Sequence, residues 1–397
     1  HPLALTVPFT ANWEEVTLTT AQNILANGHN LAQVVPWPPI SPQRKTLFVD
    51  GHYPQDPNYP LQQDWFLYTT PAAEPVAVAI HAAGLDSLQL TEMAAVGDIM
   101  LDRGPGYLLS QGNLAYPFAY IAPYLQQADI TVANFESALG TSGEPAPKHY
   151  PFRSPPEAAA SLALAGIDIV SLANNHALDY GPDALLEGID LLHQANVATV
   201  GAGANIDAAR APHLITVNNI TIAFLAYADV PVERFGFDTE TWTATADTPG
   251  LAWAHPEDIH TDVRLARPQA DLVVVLLHSG FEYVEEPGEE QVIAATAAID
   301  AGADLVIGHH AHIIQGIKFH PTGTVAYGLG NFAFQIEGDP NTAIFHFWLD
   351  QNGLRQITIT PAIIEPTGQP RLATPAEAAP LRQRLNFLTT ILNPTPR

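Results

Sequence analysis

The chain has 397 residues, 47% of them apolar, which is enough for a large core and more than a single domain usually needs. Its 15 Lys and Arg stand against 41 Asp and Glu, a net charge of −26 that argues against binding nucleic acid or anionic membranes through a general field. Cysteine is absent and no apolar run reaches the roughly 18 residues that span a bilayer, so disulfides, thiolate chemistry and an internal membrane helix are excluded. The first residue is His1 rather than Met. An upstream secretion signal or lipid anchor, outside this sequence, is therefore expected.

Residues 1 to about 90 are set apart by Pro-rich connections (VVPWPPISPQ, 34–43; YPQDPNYPLQQD, 53–64) and strand-like pieces at Thr46–Val49 and Trp65–Thr69. A small α+β module of unknown role is expected there, ahead of one catalytic-type domain over 91–397. From 91 the α/β alternation is regular. Helices are expected at Tyr116–Ala128, Pro155–Ala165, Pro182–Asn196, Pro256–Arg267 and Glu289–Ala301. Strands are expected at 129–135, 167–173, Ala198–Gly201, 271–277 and 304–307. Within Leu214–Asp229, Asn218-Asn219 between two β-rich arms signals a hairpin. Beyond 313, Gly316–Phe319, Thr324–Tyr327, Ala343–Leu349 and Leu354–Ile359 read as antiparallel strands, before a helix at Pro375–Leu392.

The chemistry sits where apolar runs end. These are Met93–Asp102, Ala128–Glu136, Gly166–His176, Ala270–His278 and Ala303–His312. In the middle three an Asp opens the run, and Glu136, Asn175 or His278 follows seven places on. Continuous apolar runs suit parallel strands buried on both faces, whose carboxyl ends gather ligands and catalytic groups. Five such ends would converge on one metal-binding crevice.

Each segment also has a plainer reading. Asp98 can ligate a metal or cap a turn. Asn134 and Glu136 share one side of an extended strand, and a carboxylate there can bridge two cations. In LANNHALDYG, Asn175 offers a carbonyl oxygen and His176 a proton, with Asp179 placed to orient the imidazole. The same residues would also make a capped turn. His278 alone would pass for a core histidine; its phase with Glu136 and Asn175 raises it. In GHHAH, His310 and His312 share a face if extended, with His309 immediately before them. Imidazole with carboxylate suits zinc, iron or manganese rather than calcium. Glu282 in HSGFEY and Asn331 in YGLGNFAF read as pocket or substrate contacts. The Gly201–Gly203 stretch lacks the dinucleotide fingerprint.

In this order, GDIMLDR, ANFES, SLANNHALDYG, GAGAN, LLHSGFEY, ADLVIGHHAHIIQGI and GLGNF resemble the bacterial CapA family of poly-γ-glutamate capsule synthesis proteins, of the calcineurin-like metallophosphoesterase superfamily. The resemblance spans about residues 91–335. It implies a four-layer α/β/β/α metallophosphatase-like sandwich, with the N-terminal module as a small appendage. It implies one or two divalent ions held by Asp98, Glu136, Asn175, His278, His310 and His312, with His176 as proton donor or phosphate contact. Asn174 stands where the superfamily pattern has Gly and is taken, with Glu282 and Asn331, as substrate-binding. Met100 occupies the place of the pattern's first His, and Asp102 or His309 is a candidate replacement. Arg103 is a candidate anion holder in the catalytic set with His176 and Asp179. The implied role is extracytoplasmic: synthesis or export of an anionic poly-γ-glutamate-like polymer, beside other capsule synthesis proteins at the membrane. A metal-assisted hydrolase or transferase acting on a phosphoester or γ-glutamyl link is the leading expectation. A non-catalytic, polymer- or partner-binding component is the alternative.

Overall fold

The apolar runs become the central strands of two sheets. The computed structural model describes residues 3–36, 41–54, 56, 58–61, 90–233, 235–335 and 338–394. In the first sheet Ala198–Val200, Ile169–Ser171, Ile130–Phe135 and Thr91–Met100 lie side by side and parallel. Asn341–Asp350, Gly353–Ile364 and Pro370–Leu372 extend it antiparallel, and Asn331–Phe334 joins parallel to the carboxyl half of Thr91–Met100. The second sheet runs His213–Val217, Ile220–Asp229, Leu272–Ser279, Leu305–His309, Thr324–Ala326, Ile317–Phe319. Its four middle strands are parallel.

Alternation along one strand displays the layers. Leu272, Val274 and Leu276 join a core shared with Val96 and Phe345 of the first sheet. Val273, Val275 and Leu277 point the other way, onto Ile259 and Val263 of helix Pro256–Ala266 and Ala294 and Ala298 of helix Glu289–Ala301. Leu109, Leu162 and Leu185, from helices Arg103–Ser110, Glu157–Ala165 and Gly181–Gln194, pack into the first sheet's core. The result is the four-layer α/β/β/α sandwich. Strand side chains such as Val96, Val274 and Ile307 are fully buried.

The recurring Asp at the start of each run has a structural task. Asp168 donates its N–H to the Thr131 carbonyl and accepts the Thr131 N–H on its carboxylate at 2.7 Å. Asp129 clasps Glu92 in the same two-way manner, Asp271 clasps Thr221, and Asp304 clasps Val273. Each clasp satisfies a strand N–H of the neighbouring strand and sets the stagger between the two. The residue seven places on then emerges at the opposite, carboxyl end.

Local chemistry explains most boundaries. Asn218 and Asn219 both take positive φ (50° and 63°), as a two-residue hairpin turn requires. Helix Pro256–Ala266 has Pro at its start, Glu257 and Asp258 in its first turn and Arg264 in its last. Two expectations fail. Tyr116–Ala128 is a short 3-10 turn, Tyr116–Phe118, then one helical turn, Ala122–Leu125, because Pro117 and Pro123 cannot donate within a continuous helix. Thr324–Ala326 pairs antiparallel only with Ile317–Phe319; on its other edge it continues the parallel set beside Leu305–His309.

At the N-terminus, Leu3–Pro8 pairs antiparallel with Gln33–Pro36 and Arg44–Thr46, and helix Leu18–Asn27 packs Ala21 and Ile24 into a separate core with Leu5, Val7, Leu47 and Tyr59. Thr46 reaches the main body through a 3.1 Å hydrogen bond to Gln356. The expected strand at Trp65–Thr69 lies outside the described residues.

Candidate metal centre

Five strand ends meet. Asp98 lies near the end of Thr91–Met100, Glu136 directly follows Ile130–Phe135, and His278 is the penultimate residue of Leu272–Ser279. Asn175 follows Ile169–Ser171, and His310 and His312 follow Leu305–His309. Two glycines permit the approach of neighbouring backbone. A Cβ on Gly97 would fall 1.9 Å from the Gly330 carbonyl oxygen, and one on Gly308 would fall 1.8 Å from that of Tyr327. The first contact lets Asp98 N–H bond Gly330, which seats Asn331 beside Asp98. His310 and His312 are not extended: their φ values of 81° and 56° place them in a left-handed turn, a costly conformation that histidine tolerates better than most residues. Their rings nonetheless stand together, 5.9 Å between centroids.

The side chains form two overlapping groups, Glu136–His278–His310 and Asp98–Glu136–His312, each with donor atoms within 4.8 Å of one another. Glu136 belongs to both. Its Oε1 lies 3.8 Å from His278 Nε2 and from His312 Nε2, is fully buried, and accepts no hydrogen bond. His310 Nδ1 is likewise buried and unpartnered. Orphaned atoms of this kind are rare unless something else binds them. An imidazole–carboxylate set of this composition fits zinc, iron or manganese.

Neighbouring amides orient the ligands. Asn134 Nδ2 donates to Asp98 Oδ1 (2.9 Å), Glu136 Oε2 (3.3 Å) and His278 Nδ1 (3.2 Å). His278 Nε2 donates to Asn175 Oδ1 at 2.8 Å. His312 Nδ1 donates to Asn331 Oδ1 (2.9 Å) and toward Asp98 Oδ2 (3.3 Å), which turns its Nε2 to Glu136. Such outer contacts set ring orientation and ligand basicity.

Burial and mutual repulsion tune the charges. Burial, then the nearby imidazoles, push His278 well below the usual histidine range, and burial pushes His310 down to about 3, so both are held neutral. Burial also opposes charge on His312, but Asp98 prevails and raises it. Burial works to raise Asp98, yet His312, His309 and Asn134 together hold it below its ordinary value. Glu136 is pushed well up by burial, then by Asp98 and Glu282. A cation between them would relieve that strain.

The remaining sequence candidates fall around this centre. His176 Nδ1 donates to Asp179 Oδ2 at 2.7 Å, and its ring stacks on Phe152 at 4.4 Å. The Arg103 guanidinium lies 5.1 Å from the same Phe152 ring and bonds the Gln335 carbonyl. Asn174 is wholly internal: it accepts from His176 N–H and donates to Asn134 and Phe135. Asn331 holds His312 rather than lining open space. Two candidate replacements for the missing first His are engaged elsewhere. Asp102 caps helix Arg103–Ser110 and accepts from Arg153 N–H, and His309 Nε2 faces the Val96 carbonyl at 3.3 Å between the sheets. Met100 itself is buried with Phe152 and Phe334.

A cleft of about 700 Å³ opens onto Asn175 and His310, walled by Val230–Glu233, by Ser279–Tyr283 including the exposed Glu282, and by Gly288–Gln291. Sequence reasoning missed two residues there. Lys148 and Glu233 join the Asn175 loop to the cleft wall. The only sequence signal was scarcity: the chain has three lysines, Lys45, Lys148 and Lys318.

The molecule is thus a two-sheet α/β/β/α sandwich that gathers acidic and imidazole side chains at the carboxyl ends of its parallel strands. Residues 92–336 match the family described as "Bacterial capsule synthesis protein PGA_cap". The chain belongs to that family. The capsule biosynthesis protein CapA of Bacillus anthracis is 31% identical over 295 residues, covering 72% of this chain and 70% of that protein. The PGA biosynthesis protein CapA of Bacillus subtilis (strain 168) is 32% identical over 272 residues, covering 67% of this chain and 70% of that protein. A crystal structure described as a novel phosphatase from Mycoplasma pneumoniae aligns with TM-score 0.44 and 14% identity, covering 70% of this chain and 95% of that one.

Proposed function

We propose that this protein is a metal-dependent hydrolase or transferase of capsule synthesis, working outside the cytoplasm on a phosphoester or γ-glutamyl link of an anionic, poly-γ-glutamate-like polymer. The observation that carries the reading is Glu136: a buried carboxylate shared by two ligand groups, with one oxygen left unpartnered. Asp98, Glu136, Asn175, His278, His310 and His312 would hold one or two ions. A divalent ion there supplies Lewis acidity toward a phosphoryl or acyl oxygen and lowers the pKa of a water.

The chain's own groups do the rest. His176 has its Nδ1 committed to Asp179, which leaves Nε2 as the atom that delivers a proton to the leaving group. Phe152 holds that ring by stacking. Arg103, on the same aromatic ring, supplies positive charge where the substrate anion would lie.

One observation favours a binding role without turnover. Met100, in the place of the superfamily's first His, is fully buried and offers no nitrogen, so the Asp98–Glu136–His312 group is short of a ligand. Both readings keep the protein among the capsule synthesis machinery at the membrane.

Elemental analysis of protein purified without chelator, beside His278→Ala, tests the metal. One to two equivalents of manganese, iron or zinc, lost in the variant, is the expected result. Turnover lost in His176→Ala with metal retained then marks the hydrolase, whereas protein that rejects added metal removes it.

A further inference from the structure

Lys148 is the least accessible cation of the site. Its side chain is fully buried (0% exposed), although it comes from an irregular stretch, residues 140–152. An ammonium has three protons to give. Here two go to the Asn175 carbonyl at 2.6 Å and to Glu233 Oε1, while the same nitrogen makes an ion pair with Asp179 Oδ1 at 2.7 Å and stands 3.4 Å from His176 Nδ1. The Trp242 ring lies 5.1 Å from the same nitrogen. Buried between two carboxylates and a carbonyl, Lys148 is not free to grip a substrate anion.

Its three partners each lead to the centre. Asp179 orients His176. The Asn175 carbonyl belongs to a ligand residue. Glu233 accepts from Asn175 Nδ2 at 2.9 Å, and a carboxylate that only accepts fixes which way the amide points. The NH2 must face Glu233, so Oδ1 must face His278. Without Lys148, Glu233 and Asp179 would be buried or half-buried carboxylates that repel one another, and the Asn175 amide would lose its anchor.

We infer that Lys148 is a positioning residue of the metal centre: through Glu233 and the Asn175 carbonyl it aims the Asn175 oxygen at the ion, and through Asp179 it sets His176. The same ammonium ties the cleft wall at Glu233 to the Asn175 loop. The inference rests on the reading of the centre as a metal site.

The test is titration of Mn²⁺ into the chelator-treated full chain, with free Mn²⁺ read by its electron paramagnetic resonance signal. Each protein is held at a temperature where circular dichroism shows it folded without metal. Lys148→Met should weaken Mn²⁺ binding about 10–100-fold, the usual effect of losing an outer contact. Glu233→Gln should weaken it in the same direction, and the double variant should lose less than the two losses combined. Arg210→Met, which removes a comparable ion pair to Asp262 far from the centre, should leave Mn²⁺ affinity unchanged. Wild-type affinity in folded Lys148→Met overturns the inference. Should Lys148→Met not fold, the isosteric Glu233→Gln decides, and wild-type affinity there overturns the clamp. Wild-type protein that binds no Mn²⁺ overturns the metal reading itself, a different result from a tight wild type with an equally tight variant.

Discussion

Glu136 is the residue on which the two ligand groups depend. Its Oε1 accepts no hydrogen bond, it sits beside Asp98, and it is shifted well up by burial and by that neighbour. A carboxyl group whose folded pKa is raised contributes stability at low pH and loses it as pH rises through the folded value. Glu136→Gln should therefore make the chelated, metal-free protein more stable at pH 8, by about 1–3 kcal/mol, the cost of an unsatisfied buried group. The two proteins should converge below the ordinary glutamate range, and chemical denaturation at both pH values checks this. The same variant should bind the least metal of any single ligand substitution, because both groups lose a donor. A metal-free Glu136→Gln no more stable than wild type at pH 8 would show that the carboxylate is not under strain.

At the scale of elements, the Asp clasps determine how parallel strands start, and hence where their ligand-bearing ends fall. Asp168→Ala leaves the buried Thr131 N–H without its acceptor. It should cost about 1–3 kcal/mol of unfolding free energy while metal content per folded chain stays at the wild-type value. Loss of metal without loss of stability would mean that the clasp has no structural role. The C-terminal helix Pro375–Leu392 starts on a capping box, Thr374 with Glu377, and Arg371 pairs with the same carboxylate. Arg371, then the Thr374 N–H and hydroxyl, lower Glu377 to about 2. A lowered carboxyl contributes stability above its ordinary value and loses it as pH falls toward the folded one. The difference in melting midpoint between wild type and Glu377→Gln should be constant above about pH 5 and shrink between about 4.5 and 2. A difference independent of pH would remove the ion pair from the account.

At the scale of the molecule, a net charge of −26 sits on 397 residues, and the centre concentrates Asp98, Glu136 and Asp179 in its interior. Self-repulsion of this size destabilises the compact state. Raising ionic strength from about 0.01 to about 0.15 M shortens the screening length from about 30 to about 8 Å, so the melting midpoint of metal-free protein should rise across that range. A flat response would show that the surface carboxylates are already compensated by pairs such as Arg210–Asp258 and Arg267–Asp304.

Much of this was legible in the chain because parallel strands print directly into sequence. An apolar run buried on both faces, clasped by Asp at its start, must release its polar residue at the carboxyl end, which is how Glu136 and His278 announce themselves. The glycines of GDIMLDR and GHHAH and the Asn pair at 218–219 are equally local, since each answers to its own backbone. Three things were settled only by tertiary structure. Asp102 and His309 look like ligands in sequence, but capping claims the Asp102 carboxylate and the Val96 carbonyl between the sheets holds His309 Nε2. Tyr116–Ala128 has helical composition, but its prolines break it. Lys148 acquires its role from Glu233, 85 residues further on, and Asn175, 27 residues on. No local pattern encodes such a contact, because it exists only once two loops from different strands close over the same buried charge.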